Sequence, residues 1–311
     1  MLALVQRMDS GSLRGIVHAA AGADKFSLER FVPGPRLRPF VDHYWVVWYD
    51  LAPGESHTQR VLSYPNVHLA FEQDADGRRA LVYGIPRRPF VRKLQGAGIT
   101  LGVRFRAGCF YPFWRKDVAL LTGRTVAARE VFGPDADRWL AAVLDAEPGA
   151  EPDEARNTVP GAWCNTVLDP RFEPAKAAAM ARAAEAALLT QLPDVDPRAE
   201  LAADIVGLAM EDRTIIKVEQ LAERTGMSVR ALQRLFHRYV GVTPKWVIKR
   251  FRLQEAAERI ERDAAASWTE LAAELGYFDQ AHFIKDFKAV LGQTPAQYRA
   301  AGQVSGGTQP R

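Results

Sequence analysis

The sequence predicts an α+β chain with a β-rich N-terminal barrel or sandwich, a helical connector and an all-α C-terminal domain. Three observations carry that reading. Short aromatic and β-branched runs separated by turn signals fill residues 30–105, and helical apolar spacing takes over from about residue 117. The C-terminal part then repeats itself at an interval of about fifty residues.

In chain order, residues 1–28 mix Gly, Ser and Ala with little periodicity and are expected to be a flexible arm. Residues 29–135 form the β-rich domain. Its strand candidates are His43–Tyr49, Val67–Phe71, Leu81–Tyr83 and Ile99–Phe105, punctuated by Pro53-Gly54, Asp76-Gly77 and Gly96-Ala97-Gly98. Residues 136–209 are the helical connector, with a loop insertion at 147–175 marked by Pro148, Pro152, Pro160, Pro170 and Pro174. Residues 210–303 hold the repeat, and 304–311 form a tail without order.

Composition narrows the function classes. The 311 residues are 48% hydrophobic and 25% charged, an ordinary globular balance. The two cysteines, Cys109 and Cys164, form no CxxC pair, which excludes a cysteine-rich zinc site and a disulfide framework and fits a reducing cytosol. No signal peptide pattern and no run of eighteen apolar residues occurs, so the expectation is a cytoplasmic protein without a membrane partner.

The repeat identifies the C-terminal architecture. Leu221, Ala222 and Gly226 match Leu271, Ala272 and Gly276 at a spacing of fifty. Beyond the glycines the spacing is fifty-one: Leu232 matches Phe283, Phe236 matches Phe287, and Gly241 with Thr243-Pro244 matches Gly292 with Thr294-Pro295. The second copy thus carries one extra residue just after its glycine. Each copy reads as a short helix, a glycine turn, a capping residue (Ser228 or Asp279) and a second helix, which is the helix-turn-helix arrangement.

Charge points to the partner. Between Arg224 and Gln254 stand eight Lys or Arg and no acidic residue, whereas solvated helical faces usually mix signs. Release of counterions from DNA phosphates rewards such a segment. At about 100° per residue, Leu232, Leu235, Phe236 and Tyr239 share an inward face, with Arg230, Gln233, Arg234 and His237 outward or on the flank. In the second copy Phe283, Phe287 and Val290 face inward, while Gln280, Ala281, His282 and Lys285 lie at the start or on the outside of the helix. Arg and Gln suit two-point contacts to guanine and adenine, so these eight outward residues are the candidate base contacts. Ser228, Arg238, Lys245, Lys249, Arg250 and Lys288 are the candidate phosphate contacts. A helix from Lys245 to Arg262 separates the copies by roughly 27 Å, which lets both second helices enter one face of a duplex.

These residues resemble the double helix-turn-helix domain of the AraC/XylS family of bacterial transcription regulators. The likeness runs from about Ile215 to Ala300 through Leu221-Ala222, Gly226-Met227-Ser228, Leu232–Phe236, Gly241 and Thr243-Pro244, and through Leu271-Ala272, Gly276-Tyr277, Asp279, His282-Phe283, Phe287-Lys288, Gly292, Thr294-Pro295 and Tyr298-Arg299. It implies seven helices, of which the third and sixth read the major groove. His282 stands where the family more often has Tyr or Ser. A weaker likeness, through Phe31-Val32-Pro33, Tyr44-Trp45, Pro65-Asn66 and Gly102–Phe105, is to the β-rich sensor domain of one branch of the family. It implies a cupin-like regulatory domain in residues 29–135.

Tyr44, Trp45, Trp48, Tyr64 and Arg104 are the candidate ligand pocket of that domain. His43, His57 and His68 lack metal-ligand spacing, no nucleophile elbow or triad occurs, and no phosphate-binding glycine loop follows a strand. The expectation is therefore no enzyme, no metal and no cofactor. Double-stranded DNA is the expected partner, with RNA polymerase, a small-molecule effector and a second copy of the chain as the others to test. The rival readings are a constitutive DNA binder whose N-terminal domain only oligomerises, and an enzyme fused to a DNA-binding module.

Overall fold

A computed structural model describes residues 6–7, 25–61, 64–148, 171, 173–262 and 267–305. Most of the expected N-terminal arm, most of the 147–175 insertion with Cys164, and most of the tail lie outside the described residues.

The β-rich domain has nine strands among the described residues: β1 (Gln6–Arg7), β2 (Ser27–Val32), β3 (Val41–Asp50), β4 (Ser56–Val61), β5 (His68–Asp74), β6 (Gly77–Tyr83), β7 (Phe90–Gln95), β8 (Ala97–Phe105) and β9 (Thr125–Ala127). Seven form an antiparallel sheet in the order β1-β2-β3-β8-β5-β6-β9, and β4 pairs with β7 in a second, two-stranded sheet. Three strand candidates fall inside β3, β6 and β8 and the fourth, Val67–Phe71, overlaps β5 from its second residue on, whereas β1, β2, β4, β7 and β9 went unread in the sequence.

Alternation along the strands divides the large sheet into two faces. Phe31, Tyr44, Val46, Leu69, Phe71, Leu101, Val103 and Phe105 are buried on one face. Two short helices, α1 (Tyr111–Trp114) and α2 (Ala128–Phe132), precede α3 (Asp135–Leu144) and α4 (Pro174–Leu189), and α3 and α4 cover that face. The other face looks across a cavity toward β4 and β7.

The connector splits between the two halves of the molecule. Helices α3 and α4 pack on the sheet, but α5 (Pro197–Glu211) packs on the C-terminal helices. After α5 come α6 (Val218–Thr225), α7 (Val229–Leu235) with a π-helical extension (Phe236–Val240), α8 (Pro244–Arg262), α9 (Trp268–Glu274), α10 (Gln280–Leu291) and α11 (Pro295–Ser305). Counting from α5, these described helices number seven, and the third and sixth are α7 and α10.

Besides a small cluster of Tyr49, Leu51 and Leu94, two larger hydrophobic cores result among the described residues. One runs without interruption from the sheet through α3–α5 into the first motif, ending on Val247, Ile248 and Phe251 of α8. The other is smaller and belongs to the second motif, built on Leu253, Ala257, Ile260, Leu271, Phe283, Phe287, Leu291 and Tyr298. Helix α8 therefore anchors one half in each core.

Candidate nucleic-acid interface and N-terminal cavity

Each motif is assembled by the same local devices. Helix α6 ends at Gly226 with φ +64°, and the turn after α9 uses Gly276 with φ +73°, a left-handed conformation that glycine adopts without Cβ strain. The Ser228 hydroxyl then accepts from Ala231 N (3.2 Å), and the Asp279 carboxylate from His282 N (2.7 Å), capping α7 and α10. The recurrent Thr-Pro has the same purpose in both copies. Thr243 Oγ1 accepts from Trp246 N at 3.2 Å and Thr294 Oγ1 from Gln297 N at 3.3 Å, with proline in the first turn of α8 and α11.

The inward faces are those expected. Leu232, Leu235, Phe236 and Tyr239 are buried, as are Phe283 and Phe287, while Val290 is half-buried against the second core. Arg230, Gln233 and Arg234 on α7 are exposed, as are Gln280, Ala281, His282, Lys285 and Lys288 on α10. Arg230, Arg234, Lys245, Lys285 and Lys288 have no carboxylate partner among the described residues. His282 stacks edge-on against Tyr277 (5.2 Å between centroids), with Nε2 3.5 Å from Asp286.

Several cations of the basic segment serve other purposes. Arg250, read as a phosphate contact, is only 2% exposed. Its guanidinium lies over Trp246 (5.4 Å), its Nη1 points to Val290 O (3.4 Å), and burial pulls its pKa down to about 10. It cannot reach a phosphate, because α8 passes between two cores and is buried on opposite sides. Lys249 pairs with Asp286 of α10 at 2.5 Å, joining the linker helix to the second reading helix. Arg224 pairs with Asp212 (2.6 Å), and Arg252 with Glu255 (2.9 Å) and Ala209 O.

His237 and Arg238 also depart from their expected places, for a local reason. From Phe236 to Val240 the backbone is π-helical, Gly241 N donating to Phe236 O at 2.7 Å, so 100° per residue no longer applies. Instead His237 Nδ1 lies 3.4 Å from Asp117 Oδ2 of the N-terminal half. Arg238 stacks on Tyr111 (4.8 Å) and bonds its hydroxyl, while Thr122 Oγ1 donates to Gly241 O at 2.6 Å. The far end of α7 is thus fastened to the N-terminal half.

The cavity of the N-terminal domain has a volume of about 570 Å³. Trp45, Tyr64 and Arg104 line it, as expected, together with His43, His68 and Glu72. Tyr44 and Trp48 do not line it. They differ by one residue from Trp45 and Tyr49, and strand alternation sends them to the opposite face. There Tyr44 is buried, and burial together with nearby Glu185 raises its pKa. Arg104 is held by three groups: Asp42 (3.3 Å), Asn66 Oδ1 (3.1 Å) and the Tyr64 ring (4.5 Å). Glu72 accepts from Tyr83 OH (2.6 Å) and Arg92 (2.9 Å). Burial, reinforced by Arg104, pulls His68 down to about 3, and burial lowers His43 despite its contact with Asp42 (3.1 Å). Both imidazoles are consequently neutral at neutral pH and offer hydrogen bonds without charge. His57 is apart from this pair, 3.1 Å from Gln59 on β4.

Cys109 is buried with its thiol pushed up to about 11 by that burial, which removes the thiolate chemistry of a redox sensor.

The cavity reaches the helical domain directly. Tyr64 lines it on one side and meets Phe251 of α8 on the other, 6.0 Å between centroids. Gly123, Arg124 and Thr125 also line it and follow Thr122, the residue bonded to Gly241. Strand β8 passes closest to Trp45 at Gly102, where an added Cβ would fall 2.0 Å from the indole. Gly102→Ala should therefore destabilise the domain by about 1–3 kcal/mol and displace one cavity wall. Denaturant midpoints and tryptophan emission check this; an unshifted midpoint with unchanged emission would contradict the packing.

Comparison with known proteins finds two separate family matches along the chain. Residues 221–301 match a family described as a helix-turn-helix domain, and residues 29–127 match a domain of unknown function, DUF6597. An uncharacterised HTH-type transcriptional regulator of Haemophilus influenzae is 33% identical over 95 residues, 30% of this chain and 32% of that protein. XylDLEGF operon transcriptional activator 1 of Pseudomonas putida is 34% identical over 83 residues, 26% of this chain and 25% of that one. The match therefore spans about a third or less of either relative. The probable transcription factor PqrA of Proteus vulgaris is 33% identical over 87 residues, 28% of this chain but 70% of that protein. With most of a relative matched and both motifs folded as the repeat requires, the chain belongs to the AraC/XylS family of transcription regulators.

Proposed function

We propose that the protein is a cytoplasmic, sequence-specific regulator of transcription that reads two adjacent major-groove segments of duplex DNA through α7 and α10, and that it is not an enzyme. The observation that carries this reading is the pair of exposed surfaces on those helices, Arg230, Gln233 and Arg234 on one and Gln280, Ala281 and Lys285 on the other, with no carboxylate paired to Arg230, Arg234 or Lys285 among the described residues. Bases are assigned to these residues and to His282, phosphates to Lys245, Lys288 and the exposed start of α7 at Ser228.

The cavity favours effector control over a purely oligomerising N-terminal domain. A purely structural domain gains nothing from about 570 Å³ of space lined by aromatic rings and neutral imidazoles. An effector there would act on α7 through the 122–125 segment and on α8 through Tyr64. RNA polymerase and a second copy of the chain are the remaining partners to test.

Titration of the full chain against duplex DNA over a salt series tests the DNA reading. Log affinity should fall linearly with log salt, by about 0.9 for each phosphate neutralised. An affinity indifferent to salt, or no binding to any duplex, would refute it.

A further inference from the structure

The extra residue of the second motif can be identified. Met227 N donates to Ala222 O (3.1 Å) and Tyr277 N to Ala272 O (2.9 Å), so Met227 and Tyr277 occupy equivalent places, both packed against core. Ser228 and Asp279 are equivalent as caps. Phe278, between Tyr277 and Asp279, has no counterpart, and it is 99% exposed.

Its position is unusual in a second respect. A hydrophobic residue just before the cap commonly staples onto the fourth residue of the helix, here Phe283. Tyr277 takes that place instead, its ring 5.6 Å from Phe283. Phe278 is left pointing into solvent at the end of α10 that a helix-turn-helix inserts into the major groove. No other large apolar side chain is exposed in the second motif among the described residues, so no contiguous patch for a protein partner surrounds it. A single ring beside Gln280, Ala281 and His282 fits a single methyl, and the major groove presents one on thymine C5.

We infer that Phe278 is a specificity-determining contact, its ring seated against a thymine methyl in the half-site read by α10. The inference rests on the DNA reading proposed above. The test begins by selecting the preferred duplex of the full chain from a random pool. Thymines in the α10 half-site are then replaced singly by deoxyuridine, which removes only the methyl. At one position the replacement should weaken wild-type binding about three- to fivefold, the worth of one buried methyl. Phe278→Ser should weaken binding to the thymine duplex by a similar factor and be insensitive to that replacement. The ring touches no core, so the variant keeps its fold.

Sensitivity at no position, or sensitivity unchanged in Phe278→Ser, overturns the inference while leaving the DNA reading intact. Loss confined to transcription with polymerase present, with binding to bare duplex unaltered, assigns the ring to a protein surface and also overturns it. If the selection yields no preferred duplex, the DNA reading itself fails.

Discussion

Phe236→Ala is expected to destabilise the protein by about 3–5 kcal/mol, and the loss should be felt in the N-terminal domain as well as in the DNA-binding one. Phe236 is completely buried and belongs to the core that continues from the sheet to α8. Truncating it leaves a cavity where α7 meets that core, beside the bonds that tie Gly241 to Thr122 and Tyr239 to Asp196 (3.0 Å). Phe287→Ala removes the same side chain from the smaller core of the second motif, and its effect should stay there. Denaturation monitored separately by tryptophan emission and by far-ultraviolet circular dichroism resolves the two cases. A Phe236→Ala protein whose N-terminal transition is unmoved would contradict the shared core. The same arrangement argues that residues 210–303 expressed alone would lose part of the support for their first motif, since Val247, Ile248 and Phe251 belong to the common core.

The C-terminal architecture was legible in the sequence because its signals are local. Leu232, Leu235 and Phe236 recur at helical spacing, Ser228 and Asp279 are strong capping types, and the glycines mark turns that need a left-handed residue. The unread strands β4 and β7 are Ser-His-Thr-Gln-Arg-Val and Phe-Val-Arg-Lys-Leu-Gln. The face of this two-stranded sheet that meets the cavity mixes Gln59 and Arg92 with Phe90 and Leu94, so the apolar alternation is interrupted and was not readable. For the pocket, period two already separates Tyr44 and Trp48 from Trp45, but only the partner elements decide which set meets the cavity. The burial of Arg250 was invisible for a related reason: a charge on a helix reads as solvated until a second core covers its other side. His237 and Arg238 escaped through the π-helical turn, which exists in register with Asp117 and Tyr111 rather than by any propensity of its own.

Electrostatics is similarly redistributed. Of the eight cations in the acid-free segment, Arg224, Lys249 and Arg252 are paired with carboxylates that the rest of the chain supplies. Arg238 and Arg250 lie over aromatic rings. In the proposed complex the sequence-independent attraction to DNA therefore falls on fewer side chains than the sequence suggests, and the share left to Arg230, Arg234 and Lys245 grows.

Arg234→Ala carries the other large expectation, a loss of about 1–3 kcal/mol at the preferred duplex with relaxed preference at one or two base pairs. Arg234 is exposed on α7, points away from the buried Leu232 and Phe236, and is not engaged by a carboxylate. The decisive measurement is the affinity of wild type and Arg234→Ala for preferred and scrambled duplexes across a salt series. A base contact predicts loss at the preferred duplex and little change at the scrambled one. Equal loss on both duplexes, with the salt slope flattened by about one, would make Arg234 a phosphate clamp and contradict the assignment of α7 as the helix that reads sequence.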